Sequence, residues 1–321
     1  MLVVGVGRSG TSLLSGILGQ LGFHIPQPEV KADETNPHGF GEPRWVVDFH
    51  TRLLRQQRVT VNDARPAAFE KLARAAEEPA VTDELSAWLG EQLRQADALV
   101  VKDPRTVWLL PLWRRCAEWH GLPVSYVTML RHPAEVVMSA RRSYGPGLTL
   151  AGRTSAWLNV ILETERLTRG EPRAFVRYED LLADWAPQIR RTGELIGSAR
   201  LAAVDGHPRV DAFVDPTLHR SRVTWDELDI PARVRELGEP VWERLQTLAL
   251  PGGDGPEAHR ELDAAHAAYQ ALYAEAEAIA QSSVMAARPR KKAAAPPPPS
   301  LRVKIARRIP KRVRRALRGR S

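Results

Sequence analysis

The sequence predicts an α/β fold in three layers, a central parallel sheet with helices on both faces, followed by a C-terminal helix and a basic tail. Three observations predict it. Four short runs of apolar, largely β-branched residues, at 2–6, 98–101, 124–130 and 174–176, read as strands buried on both faces. The stretches between them leave room for the helical crossovers that parallel neighbours require. The first run breaks into a glycine-rich loop, Gly5-Val6-Gly7-Arg8-Ser9-Gly10-Thr11-Ser12, and a helical pattern begins at once behind it.

Taken in order, the first helix covers residues 11–21, with Leu13, Leu14, Ile17, Leu18 and Leu21 on or near one face. Residues 22–41 are polar and rich in Pro, Gly and Asn, the composition of a long functional loop. Helical patterns follow at 44–55, 67–76, 83–95, 107–120, 134–143, 154–168 and 186–196, with Asp83 placed to cap its helix. Residues 207–229 look irregular, with clustered charge. Residues 257–283 read as a long Ala-rich helix whose Leu262, Tyr269, Leu272, Tyr273 and Ile279 would pack on the body as a closing element. The divisions expected are a body at 1–284, a linker at 285–300 containing the prolines Pro296 to Pro299, and a tail at 301–321. In the tail Leu301, Ile305, Ile309, Val313 and Leu317 recur every four residues, and Pro310 interrupts the run, so two short basic helices are expected there.

The chain has 321 residues, enough for one large domain or two modest ones, and 43% of them are hydrophobic, as in a globular protein. No run approaches the roughly 18 apolar residues that cross a membrane, and the N-terminus reads as a strand rather than a signal segment. One cysteine, Cys116, excludes an intrachain disulfide framework and suits a reducing compartment, so a cytoplasmic location is expected. The net charge of +8 is unevenly spread. Residues 285–321 carry 14 Lys or Arg and no acid, which leaves 32 basic against 38 acidic residues in the rest, a net of −6. The basic excess lies in the tail and says nothing of nucleic-acid binding by the body.

A strand, a glycine loop and a helix start together offer backbone N–H groups to a phosphate-like anion. The spacing approaches that of a nucleotide-binding P-loop, G-x-x-x-x-G-K-[ST]. Gly5, Gly10 and Ser12 fit, but Thr11 stands where the lysine belongs, and the fixed charge in the loop is Arg8. Anion binding is expected, with ATP or GTP hydrolysis not the first reading. No cluster has metal-ligand spacing.

The string GVGRSGTSLL, residues 5–14, resembles the 5′-phosphosulfate loop of sulfotransferases that use 3′-phosphoadenosine 5′-phosphosulfate (PAPS). Two further segments match in the family's order. Val100-Val101-Lys102-Asp103-Pro104-Arg105 resembles the Lys-Asp-Pro segment of the tyrosylprotein and bacterial branches, and residues 130–139, LRHPAEVVMS, resemble the 3′-phosphate element. A fourth, weaker likeness is Phe175-Val176-Arg177-Tyr178-Glu179-Asp180-Leu181. Together the likeness covers roughly residues 1–230 and implies a P-loop-type fold.

The resemblance implies PAPS as co-substrate, released as 3′-phosphoadenosine 5′-phosphate (PAP), with no metal. It implies that Arg8, Ser9, Gly10, Thr11 and Ser12 hold the 5′-phosphosulfate and that Arg131 and Ser139 hold the 3′-phosphate. Lys102 would neutralise charge on the bridging oxygen. Glu42, in Asn36-Pro37-His38-Gly39-Phe40-Gly41-Glu42, resembles the family's general base, and His38 competes with it on the grounds of its neutral titration range. Arg220 and Arg222 either close over the donor's 3′-phosphate or adenine side or are surface charges. His132, Asp103, Arg105, Tyr178, Glu179 and Asp180 read as structural. The acceptor expected is a hydroxyl on a carbohydrate or glycolipid. The tail suits an anionic membrane surface, placing the protein at the inner membrane face; nucleic acid is the rival partner, though none is expected, and a plain solubilising end is the third reading. Two other functions compete: a P-loop nucleotide-dependent kinase or phosphotransferase, which the missing loop lysine disfavours, and a non-catalytic anion- or lipid-binding protein, which Lys102 and Glu42 disfavour.

Overall fold

Four strands pair in parallel in the order β2-β1-β3-β4. In this computed structural model, residues 1–33, 39–215, 217 and 222–287 are described. The strands are β1 (Leu2–Val4), β2 (Val101–Lys102), β3 (Tyr126–Leu130) and β4 (Arg173–Arg177). Register is set by Val3 opposite Lys102 on one side of β1 and Val3 opposite Val127 on the other. Between β1 and β2 lie α1 (Thr11–Gln20), α2 (Arg44–Gln56), α3 (Ala67–Ala76) and α4 (Pro79–Leu93). A 3₁₀ turn (Thr106–Leu109) and α5 (Leu110–Trp119) join β2 to β3; α6 (Pro133–Tyr144) and α7 (Leu150–Thr168) join β3 to β4. Then come α8 (Tyr178–Ala183), α9 (Trp185–Ile196), α10 (Ala199–Ala202), α11 (Pro208–Phe213), α12 (Ala232–Leu248) and α13 (Pro256–Ala287).

Alternation along the strands divides the core in two. Leu2, Val4, Tyr126, Leu130 and Phe175 face one side, where α2 to α7, α12 and the first half of α13 pack. Val3, Val127, Met129, Ala174 and Val176 face the other, against α1 and α8 to α11. The result is the three-layer α/β architecture that the sequence predicts.

Several expectations need correction. Lys102 is not past its strand but is its last residue. The fourth helix starts at Pro79, so Asp83 lies within it and does not cap it. Proline suits the first turn, where a missing N–H breaks no bond. The helix expected at 107–120 divides into a 3₁₀ turn and α5, with Pro111 again near the new start. The stretch expected to be irregular holds α11 and a 3₁₀ turn at Trp225–Glu227. The seventeen-residue α12 is not foreseen in the sequence, because Gly238 and Pro240 interrupt its pattern. Gly238 is required there by Trp225: a Cβ would come within 2.7 Å of that ring.

The chain forms two units, residues 1–275 and 276–321. In the first, Leu262 and Tyr269 of α13 are buried and Tyr269 Oη donates to Ala64 O at 2.5 Å. Of the second, the end of α13 is described; Ile279 is exposed and the helix runs to Ala287, past the expected boundary at 284. The remaining linker and the 301–321 tail lie outside the described residues. Among the described residues no helix is long and apolar enough to cross a membrane.

Candidate active site

The strand order puts β2 and β3 on opposite flanks of β1, so the chain reverses direction across the sheet at β1. Open α/β sheets bind ligands at such a switch point, beyond the carboxyl ends of the strands. The loop after β1, Lys102 at the end of β2 and Arg131 just after β3 all reach this edge.

The loop turns tightly. Arg8 and Gly10 both adopt left-handed backbone conformations, at φ 75° and 97°. Only glycine fits at position 10 for a second reason: a Cβ there would lie 2.3 Å from the Tyr178 ring. Leu13 N–H makes the first bond of α1, to Gly10 O. The N–H groups ahead of it, at the helix start, have no intrahelical acceptor, which is the general condition of a helix N-terminus. Gly10 as N-cap supplies no side-chain cap to cover them. Ser9 Oγ is buried and has no hydrogen-bond partner among the described residues. The loop thus collects donors, with the positive end of α1 behind them.

Arg8 and Arg131 tie the loop to the third strand. Arg131 Nη1 donates to Arg8 O at 3.3 Å, and Arg8 Nε donates to Ser139 Oγ at 3.2 Å. Arg131 is itself oriented, by Glu135 Oε2 at 2.7 Å and by the Tyr178 ring, whose centroid lies 4.6 Å from its guanidinium carbon. Ser139, in the second turn of α6, is buried. His132 acts structurally. Its Nδ1 accepts the Ala134 N–H at the start of α6, and its ring packs edge-on against both Trp225 and Trp242. Burial among these rings lowers its pKa.

On the other flank, Lys102 Nζ lies 2.6 Å from Glu42 Oε1 and 3.2 Å from Ser12 Oγ. Both members of the ion pair are nearly enclosed, Lys102 at 2% and Glu42 at 8% exposure. An ion pair this deep holds its geometry better than an exposed one, though it adds little net stability. Glu42 is positioned by backbone pairing: Val30 N–H donates to Glu42 O at 2.8 Å, and Glu29 bridges Pro43. Next to it, Gly41 has φ 61° and lies against α1, where Ser15 Oγ donates to its carbonyl at 3.3 Å.

Behind Lys102, Asp103 is fully buried. Burial alone would raise its pKa, but the hydrogen bond from His50 and the charge and backbone N–H of Arg105 hold it below the usual carboxylate value. Arg105 donates to Asp103 Oδ1 at 2.6 Å.

The structure therefore brings together Arg8, Ser9, Gly10, Thr11, Ser12, Glu42, Lys102, Arg131 and Ser139. Arg222 is exposed and makes no hydrogen bond or ion pair among the described residues. Arg220 and His38 lie outside the described residues. Tyr178, read as structural, packs against both Gly10 and Arg131. Glu135 and His50 carry no signal in the sequence, because their partners are distant or lie along a helix of unknown orientation. Among the described residues no group of His, Cys, Asp or Glu could hold a metal ion.

Among solved structures, the sulfotransferase domain of the olefin synthase of Synechococcus PCC 7002 is similar at a TM-score of 0.42 and 20% identity, over 74% of this chain and 92% of that one. Comparison with the curated proteins gave no match. The model of the sulfotransferase family matches residues 1–199, which contain every residue just assembled at the sheet edge; the chain belongs to that family.

Proposed function

We propose that the protein transfers the sulfuryl group of PAPS to a hydroxyl on a carbohydrate or glycolipid. The observation that carries this reading is the meeting of Lys102, Glu42 and Ser12 on one flank of β1 with Arg8, Arg131 and Ser139 on the other. The orphan Ser9 hydroxyl and the N–H groups at the start of α1 fit a donor with an anionic 5′ end. Arg131, stacked on Tyr178 and pinned by Glu135, presents a planar donor surface suited to the 3′-phosphate.

PAPS supplies an activated sulfuryl group on a good leaving group, so what remains for the protein is positioning and charge stabilisation. Glu42 takes the proton of the acceptor hydroxyl as its oxygen bonds to sulfur. Lys102 stabilises the bridging oxygen as the S–O bond breaks and PAP leaves. Ser12 and Glu42 occupy two of the three N–H donors of Lys102 and leave one for that oxygen. We place the protein in the cytoplasm, with the 301–321 tail docking it on the anionic inner membrane face beside a lipid-borne acceptor.

The test has two arms. PAP at about 100 times its Kd should raise stability by about 2.7 kcal/mol in a thermal-shift assay, while Mg-ATP should not. Radiolabelled sulfate from PAPS should appear in a fractionated extract of glycolipids and polysaccharides, and Glu42→Gln should abolish most of it. Stabilisation by Mg-ATP and not by PAP would move the reading to a phosphotransferase. PAP binding without sulfate transfer to any fraction would leave a non-catalytic binder.

A further inference from the structure

A buried chain of hydrogen bonds lies behind the Glu42–Lys102 pair and joins the two elements that carry it. Trp113 Nε1, on α5, donates to His50 Nε2 at 2.9 Å. His50 Nδ1, on α2, lies 2.7 Å from Asp103 Oδ2. His50 and Asp103 are both wholly enclosed. An indole N–H can only donate, so His50 Nε2 offers its lone pair and the ring's proton sits on Nδ1, donated to Asp103. A second proton on the ring would set donor against donor at Trp113. The remaining Asp103 oxygen, Oδ1, takes the Arg105 backbone N–H at 3.1 Å and its guanidinium at 2.6 Å.

The placement has a consequence. Asp103 is the chain neighbour of Lys102, and β2 is two residues long, so the sheet gives Lys102 little lateral support. His50 sits in the second turn of α2, whose N-cap, Pro43, directly follows Glu42. The His50–Asp103 bond therefore fixes the helix behind Glu42 to the residue beyond Lys102.

We propose that Trp113, His50 and Asp103 form a positioning clamp, with His50 locked as the neutral Nδ1–H tautomer, that sets the distance between Glu42 and Lys102. The clamp rests on the roles given to those two residues above. None of the three clamp residues touches substrate; each acts through the pair it aligns.

The experiment uses the full chain, radiolabelled PAPS and a glycolipid and polysaccharide extract as acceptor. His50→Phe removes the donor to Asp103; His50→Asn restores an N–H near the same point. In variants that keep a cooperative melt, His50→Phe should lower turnover at saturating PAPS by about 30-fold or more, while the KM for PAPS changes by less than about 3-fold. His50→Asn should recover turnover to within about 5-fold of the starting protein. Trp113→Phe leaves Asp103 paired but frees Nε2, and should give mixed tautomers in the ¹⁵N spectrum of ring-labelled histidine together with a smaller fall in turnover. The unaltered protein should show His50 as Nδ1–H at neutral pH. A folded His50→Phe with undiminished turnover overturns the clamp, as does an Asn variant no better than Phe, or a ring protonated at Nε2. Where His50→Phe does not fold, the Asn and Trp113 variants and the ring spectrum decide. If the unaltered protein transfers no sulfate, the sulfotransfer reading fails, and the ring spectrum still judges the tautomer lock by itself.

Discussion

Lys102 and Glu42 show how a single residue's role depends on what encloses it. An exposed Lys–Glu pair contributes little and breaks readily, but this one is nearly solvent-free and Ser12 fixes the lysine from a second direction. Lys102→Ala should therefore lower turnover by roughly 10²–10³-fold while PAP affinity, measured by calorimetry, moves by much less. Equal losses in both would show a binding role alone. Gly10→Ala should be costly by two routes, the left-handed φ and the collision with Tyr178. A fall in stability of about 1–3 kcal/mol is expected, with weaker PAP binding because Arg131 stacks on the displaced ring. Asp103 gives a pH signature. Its carboxyl is held below its unperturbed 3.8 in the folded state, so its contribution is fully present above 3.8 and is lost as pH falls through the lowered folded value. Urea unfolding between about pH 2 and 6 should show a shallower acid loss in Asp103→Asn than in the unaltered protein.

At the scale of elements, each site residue sits on a short, firmly packed support. The loop after β1 is held by β3 through Arg131, by α6 through Ser139, and by α8 through Tyr178. Glu42 depends on α1 through the Ser15–Gly41 contact and on α2 behind it. The long α13 divides along its length: Tyr269 is 1% exposed, whereas Ile279 is 76% exposed. Tyr269→Ala should destabilise by about 3–5 kcal/mol, as deletion of a buried aromatic does, and Ile279→Ala should stay within about 0.5 kcal/mol. Chemical denaturation of the two variants measures the difference. Equal effects would mean that the second half of the helix is also enclosed in solution.

For the whole molecule, charge is partitioned along the chain rather than over a surface. Removing residues 288–321 removes all 14 basic residues of the tail region and leaves a net charge of −6. The full chain should co-sediment with phosphatidylserine vesicles in about 0.1 M salt and be released as salt rises, while the truncated chain should stay in solution. Failure of the full chain to sediment would remove the membrane-docking proposal without touching the chemistry at the sheet edge.

The fold class is legible in the sequence because its signals are local. Buried parallel strands are apolar throughout, so β1 and β3 stand out, and the glycine loop announces the turn between β1 and α1. Amphipathic helices such as α2 and α3 show their period directly, and α3 falls at the expected residues. By contrast, α12 is hidden because Gly238 and Pro240 look like breakers; that Gly238 makes room for the Trp225 ring emerges only once the two are packed together. Site residues in the loop, and Lys102 and Arg131 by their resemblance to family segments, can be named without the fold.

Which chemical groups are on hand is readable from the chain alone: a glycine-rich loop whose fixed charge is an arginine, a lysine at a strand end, an arginine after another. Folding settles the rest. Lys102 and Arg131 approach the same loop from opposite flanks of β1, Glu42 meets Lys102, and Tyr178, Glu135 and His50 aim these groups. Strand order and helix orientation are fixed by burying the two faces of one sheet at once, a condition distributed over the whole chain and written in no single segment of it.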